Sequence, residues 1–90
     1  MLPKHRPPTT PGEILLEEFL KPLDMTQTVL AKKMGVPIQR VNTLINGKRG
    51  VTAETAILLA RIFKTSPQFW LGLQMDCDLW DAQQKMAKAG

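Results

Sequence analysis

The 90 residues include one cysteine, one histidine and no tyrosine, and they contain no long apolar run. The lone cysteine, Cys77, excludes an internal disulfide, so nothing in the composition indicates an oxidising compartment. No segment approaches the roughly 20 apolar residues that a membrane span requires. The first residues, MLPKHRPPTTPG, lack the apolar core of a signal peptide. We therefore expect a cytoplasmic protein.

Constellations that would carry catalysis or bind a metal are also missing. His5 has no acidic or thiol partner near it, and Cys77 lies on an apolar row, which favours a small hydrophobic role over a nucleophile. Glu17 and Lys21 have the i,i+4 spacing of a surface ion pair. Three aspartates point in different directions around a helix: Asp76, Asp78 and Asp81. We expect no enzyme, no metal site and no cofactor.

Negative charge is absent from the middle of the chain, although the net charge is only +4. No acidic residue lies between Asp24 and Glu54, whereas this window holds five basic ones: Lys32, Lys33, Arg40, Lys48 and Arg49. Exposed helical faces usually mix both signs, so the window favours a surface that binds a polyanion over a merely basic surface.

The periodicity predicts five helices and no strand of useful length, hence an all-α fold. Thr10, Thr26 and Thr52 suit N-caps, Gly35 suits a left-handed C-cap, and Pro22 should end the first helix. Apolar positions expected to face inward are Ile14, Leu15, Leu16, Phe19, Val29, Leu30, Met34, Ala56, Ile57, Leu59, Ala60 and Phe63. We predict a flexible arm at 1–9, a helix-turn-helix domain at 10–66 and a C-terminal helical segment at 67–90.

The third helix, within VPIQRVNTLINGKRG, divides sharply into two faces. At 100° per residue, one arc carries Ile38, Val41, Leu44 and Ile45. The opposite arc carries Gln39, Arg40, Asn42, Thr43 and Asn46. Asn and Thr are poor helix formers, so their place on an exposed face needs a reason. Gln and Asn pair with adenine, Arg with guanine, and a Thr methyl with the thymine methyl, which indicates a face that reads the major groove of DNA.

The spacing of the second and third helices supports this interpretation. Two helices joined by a short turn containing Gly35 form a helix-turn-helix, whose second helix enters the groove. Thr26 and Gln27 would then lie beside the phosphate backbone, and Lys48 and Arg49 would face phosphates or a groove edge.

Residues 10–80 resemble the lambda-repressor-like (Cro/XRE) domain and, more narrowly, the HigA antitoxins, also catalogued as virulence-associated protein VapI. The motifs that carry the resemblance are PGEIL at 11–15, MTQ at 25–27, RVNTLINGKRGVT at 40–52, ETAILLA at 54–60, SPQFWLGLQ at 66–74 and DLW at 78–80.

The resemblance implies roles for individual residues. Gln39, Asn42 and Thr43 match base-reading positions, and Arg40 lies between the base-reading and backbone-contacting classes. The backbone-contacting positions are Thr26, Gln27, Asn46 and Lys48. Ile38 stands where the family often has a polar reader, so it either packs inward or touches a thymine methyl.

Two apolar rows follow Pro67, roughly 200° apart around the last helix. The first contains Phe69, Leu73, Cys77, Trp80 and Ala87, and we assign it to the core. The second contains Leu71, Met75, Leu79, Ala82 and Met86, and we assign it to a second copy of the chain. A dimer would place two reading helices about 34–36 Å apart on a palindrome.

The leading hypothesis is a dimeric, sequence-specific repressor of its own operon. The resemblance further implies that it neutralises a toxin, an RNase that cleaves mRNA on the ribosome. Two alternatives stay open: a phage- or plasmid-type repressor without a toxin, and a protein-interaction module that does not bind DNA. The acid-free basic window argues against the second alternative.

Overall fold

The computed structural model describes residues 6–89, which form five helices and no strand. The first helix, α1, is α-helical over Pro11–Ile14 and π-helical over Leu15–Leu20. It is followed by α2 (Gln27–Met34), α3 (Ile38–Ile45), α4 (Ala53–Phe63) and α5 (Pro67–Ala89). The predicted all-α fold is confirmed.

The predicted helix ends are confirmed by their hydrogen bonds. The hydroxyl oxygens of Thr10 and Thr26 each accept from a backbone N–H three residues later, at 3.1 Å, and that of Thr52 does so at 3.2 Å. Gly35 ends α2 in the left-handed region at φ 71°, which costs glycine little. Local chemistry therefore sets the start of three helices and the turn that follows α2.

The second half of α1 is wound more loosely than an α-helix. The Lys21 N–H donates to the Leu16 carbonyl five residues earlier, at 3.0 Å. This winding brings residues five apart onto one face, so both Leu15 (0% exposed) and Leu20 (2% exposed) enter the core. The sequence predicted an ordinary helix and did not place Leu20 inside.

Trp70, which is 0% exposed, lies at the centre of the aromatic part of the core. Its ring centroid is 5.1 Å from that of Phe19 and 6.4 Å from that of Phe63. Its indole N–H donates to the Thr65 hydroxyl at 2.8 Å, which satisfies the one polar atom of the buried ring. The first turns of α5 are therefore packed into the same core as α1 and α4.

Two residues predicted to face inward are exposed instead: Val29 at 42% and Ile57 at 41%. In α2 the buried face is formed by Leu30, Ala31 and Met34, and Val29 lies outside that face. In α4 the buried positions are Thr55, Ala56, Leu59 and Ala60, and they leave Ile57 outside that face.

The first row of α5 meets the core only over part of its length. Leu73, Cys77 and Trp80 are half-buried. Phe69, which was also assigned to the core, is 41% exposed, and every described residue from Asp81 onward is exposed, including Ala87. Assigning Ala87 to the core was wrong, because the helix extends past the domain; the molecule measures 45 × 23 × 22 Å. Gly72 does not interrupt α5. No helix within residues 6–89 is both long and apolar enough to cross a membrane.

The N-terminal segment contacts α5. The Cys77 thiol donates to the Thr9 carbonyl at 3.8 Å, and Pro8 is half-buried. The first five residues, with His5, lie outside the described part of the chain. The flexible arm at 1–9 and the boundaries 10–66 and 67–90 stay predictions.

The start of α1 lies directly against the end of α3. Gly12 is buried, and a Cβ atom at this position would stand 2.0 Å from the Leu44 carbonyl oxygen and 2.8 Å from the Ile45 Cα. Only a residue without a side chain permits this approach of backbone to backbone, because no side-chain movement relieves the overlap. Gly12 thus sets how closely α3 packs on the domain.

Candidate nucleic-acid interface

Helices α2 and α3 form a helix-turn-helix around Gly35. The Gly35 N–H donates to the Lys32 carbonyl at 3.2 Å, and the Val36 N–H donates to the Ala31 carbonyl at 3.1 Å. Leu30 and Met34 of α2 are buried in one core with Val41 and Leu44 of α3. Because α3 is anchored by its apolar side, its other side faces outward.

That outward side carries a chain of amide hydrogen bonds to α2. The Asn42 Nδ2 donates to Gln27 Oε1 at 3.3 Å, and the Asn46 Nδ2 donates to Asn42 Oδ1 at 3.1 Å. An amide group has two donors and two acceptor sites, so Asn42 keeps one of each for a further partner while its orientation is fixed. The structure thus brings Gln27, Asn42 and Asn46 together, as a shared surface requires.

Gln39 and Thr43 lie one helical turn apart on the same helix. The Gln39 side chain is exposed. The Thr43 hydroxyl donates back to the carbonyls of Gln39 at 2.9 Å and Arg40 at 3.2 Å. This back-bonding uses the hydroxyl proton inside the helix, so the Thr43 methyl is the group left for an apolar contact.

Arg40 lies against α4. One terminal nitrogen of its guanidinium donates to the Thr55 hydroxyl at 3.5 Å, and its Nε is buried without a protein partner. Thr55, at 5% exposed, is a buried polar residue that the sequence did not single out. Arg40 is half-buried, whereas the neighbouring Gln39 is exposed. The intermediate class that the resemblance implies for Arg40 stays a prediction.

Ile38 is 42% exposed, so of its two expected roles the inward one is wrong. It opens α3 directly after the N-cap Pro37 and lies beyond the buried stripe formed by Val41 and Leu44.

The loop after α3 folds back on that helix. The N–H groups of Lys48 and Arg49 both donate to the Thr43 carbonyl, at 2.9 and 3.2 Å. Arg49 thereby reaches a shallow depression that is also lined by Pro37, Gln39, Arg40 and Thr43. Both cationic side chains are exposed, beside the polar face and at the end of α3.

Among residues 6–89, the candidate groups outside this surface do not form a site. Burial first, and then the negative charges of Asp81, Asp78 and Asp76, raise the pKa of the Cys77 thiol, which therefore stays protonated and weakly nucleophilic. No cluster of three metal-ligating side chains occurs within residues 6–89. The predicted ion pair of Glu17 and Lys21 is confirmed at 2.6 Å.

The chain is similar to proteins of known class. Residues 16–70 match the model of the helix-turn-helix family HTH_3. The chain is 47% identical over 81 residues to YbaQ of Escherichia coli, an uncharacterized HTH-type transcriptional regulator, with 90% of this chain and 72% of YbaQ covered. It is 46% identical over 81 residues to antitoxin HigA-1 of Vibrio cholerae, with 89% and 75% covered. The solved structure of the Pseudomonas aeruginosa antitoxin HigA with the higBA promoter superposes with a TM-score of 0.87 at 40% identity, covering 91% of this chain and 89% of that one.

Proposed function

The chain belongs to the helix-turn-helix family HTH_3, and from that premise we propose that it is a HigA-type antitoxin: a dimeric repressor that binds its own operator and neutralises a toxin. The resemblance stated from its motifs is confirmed. YbaQ is a transcriptional regulator and HigA-1 an antitoxin, in agreement with the prediction that this chain is not an enzyme.

One observation carries the DNA-binding part of the proposal. The outward face of α3 presents Gln39, Asn42 and Thr43, and its end is flanked by exposed cations in a stretch of sequence without any acidic residue. A face of this chemistry pairs with base edges, and its basic border neutralises phosphates. We assign base reading to Gln39, Arg40, Asn42 and Thr43, and backbone contacts to Thr26, Gln27, Asn46, Lys48 and Arg49.

The dimer part of the proposal depends on the second row of α5. Leu71, Met75 and Leu79 are exposed at 36%, 57% and 46%, and Ala82 is exposed as well. Such a continuous apolar face is unfavourable in water, and a second copy of the same helix would cover it. Dimerisation would also supply the second reading helix that a palindromic operator requires.

The toxin part of the proposal rests on family membership and on the similarity to antitoxin HigA-1. The toxin would be an RNase that cleaves mRNA, encoded beside this chain. Co-expression with a short, basic neighbouring reading frame tests this part directly. Rescue of growth supports the antitoxin role, whereas a neighbour without toxicity favours a repressor that has no toxin partner.

A reporter gene placed behind the DNA upstream of this chain's own gene tests the repressor role. Expression of the chain should lower reporter output, and a scrambled upstream sequence should abolish that effect. Equal output with and without the chain would contradict autorepression and favour the protein-interaction module.

Gln39→Ala should weaken binding to the preferred duplex by roughly 1–3 kcal/mol and relax the preference at one base position. The reason is the exposed amide of Gln39 on the reading face. Titrations against single-base variants of the duplex measure both effects, with Gln83→Ala in exposed α5 as the matched control. An unchanged preference profile would remove Gln39 from the base-reading residues.

Lys48→Ala should weaken binding to specific and to non-specific DNA about equally, and it should lower the salt slope of binding by about one unit. Its ammonium group is a point charge that suits a phosphate and carries no base pattern. Binding constants measured over a series of salt concentrations test this, with Lys85→Ala as the control for the lost charge. A loss confined to the preferred duplex would contradict the assignment to phosphate.

A further inference from the structure

Gln74 of α5 is bonded to the loop between α3 and α4. Its Oε1 accepts from the Val51 backbone N–H at 2.8 Å, and its Nε2 donates to Asp78 Oδ1 at 2.9 Å. The side chain therefore spans from its own helix to a loop 23 residues earlier, and Asp78 fixes which end of the amide faces the loop.

The loop is shaped to accept this bond. Val51 is 6% exposed, so its N–H would lose a hydrogen bond at considerable cost if Gln74 were removed. A Cβ atom on the neighbouring Gly50 would come within 2.9 Å of Gln74 Oε1, so the glutamine amide lies against the glycine backbone.

Two exposed cations of the loop, Lys48 and Arg49, lie three and two residues before Val51. Their backbone is held at one end by the Thr43 carbonyl of α3, and the chain just beyond them is held by Gln74 of α5. We propose that Gln74 is a positioning residue: it fixes the loop so that Lys48 and Arg49 face the DNA phosphates. This inference rests on the proposed DNA-binding function and extends it to a helix to which no DNA contact is assigned.

Gln74→Met tests the proposal, because methionine keeps length and helix propensity while removing both hydrogen bonds. The matched control is Gln84→Met, an exposed glutamine in the same helix. The probe is a duplex that the wild-type protein selects from a random pool, titrated over a range of salt concentrations. Hydrogen exchange of the Val51 amide in the free protein reports whether the loop is released.

We expect Gln74→Met to weaken binding roughly two- to tenfold, as for one or two side chains that must be ordered on binding. The salt slope should stay unchanged, because both cations still reach the phosphates once the loop is ordered. The base preference should also stay unchanged, and Val51 exchange should accelerate. In a Lys48→Ala/Arg49→Ala background the same change should have no further effect on affinity.

Unchanged affinity, an equal loss in the double-alanine background, or an altered base preference would each overturn the positioning role. A Gln74→Met protein that does not fold would also overturn it, because Gln74 would then be a general structural residue. Failure of the wild-type protein to select any duplex would instead contradict the proposed function itself.

Discussion

Replacing Met75 and Leu79 together by glutamate should convert the protein into a folded monomer. Both side chains are exposed at about half of their surface, so the core of residues such as Trp70 and Leu59 is untouched by the change. Across a symmetric interface each new carboxylate would be buried without a partner and would face its own copy, which costs far more than leaving it in water. The monomer should keep weak binding to non-specific DNA and lose most of its affinity for the palindrome.

Sedimentation analysis and titrations against half-site and full-site duplexes measure the two effects. The control is Gln84→Glu with Ala87→Glu, which adds the same charge at exposed positions away from the second apolar row. The control should stay dimeric. Its affinity for DNA should fall only slightly, through the added negative charge. A Met75→Glu/Leu79→Glu protein that remains dimeric and prefers the full site would place the interface elsewhere.

Gly12→Ala should destabilise the domain by about 3 kcal/mol, since the new methyl group overlaps backbone atoms of α3 that no side-chain rotation can move. For a domain of this size the loss corresponds to a fall in Tm of roughly 12–24 °C. Because the overlap lies at the end of α3, DNA binding by the fraction that folds should weaken as well.

Gly72→Ala is the matched control, because nothing lies within 4 Å of a Cβ atom at that position and the residue is inside α5. Alanine there should stabilise the protein by roughly 0.5–1 kcal/mol through helix propensity. Thermal unfolding of both variants gives the comparison. A Gly12→Ala protein as stable as the wild type would contradict the close packing of α1 on α3.

The helix ends and the two faces of α3 were predictable because they depend on neighbours in sequence. Thr26 caps α2 by accepting a hydrogen bond from the N–H of a residue three positions later. Val41 and Leu44 are buried, and they are spaced three residues apart, as one face of a helix requires. The division of α3 into buried and exposed sides followed from the same spacing, apart from the exposed Ile38 and from Arg40, which lies against α4.

The remaining features depend on contacts between distant segments. Trp70 belonged to neither apolar row of α5, and its burial follows from the rings of Phe19 and Phe63 on two other helices. Leu20 is buried because α1 adopts a π-helical winding, which its apolar spacing did not distinguish from an α-helix.

The site itself shows the same limit. The bond of Arg40 to Thr55 joins residues 15 apart in sequence. No periodic pattern in the sequence marks either partner of this bond. The same holds for the bond from the Val51 N–H to Gln74, whose partners are 23 residues apart. Residue types predicted a reading face, and only the fold shows which contacts support its side chains.

The central claim is that two copies of α3 read DNA, and selection of duplexes from a random pool by the wild-type protein tests it most directly. The account predicts enrichment of an inverted repeat whose half-sites are centred about one helical turn, roughly 34–36 Å, or a multiple of it apart. The Gln39→Ala protein should enrich the same repeat with one position relaxed in each half. Enrichment of a single unrepeated site, or of no sequence at all, would contradict the account.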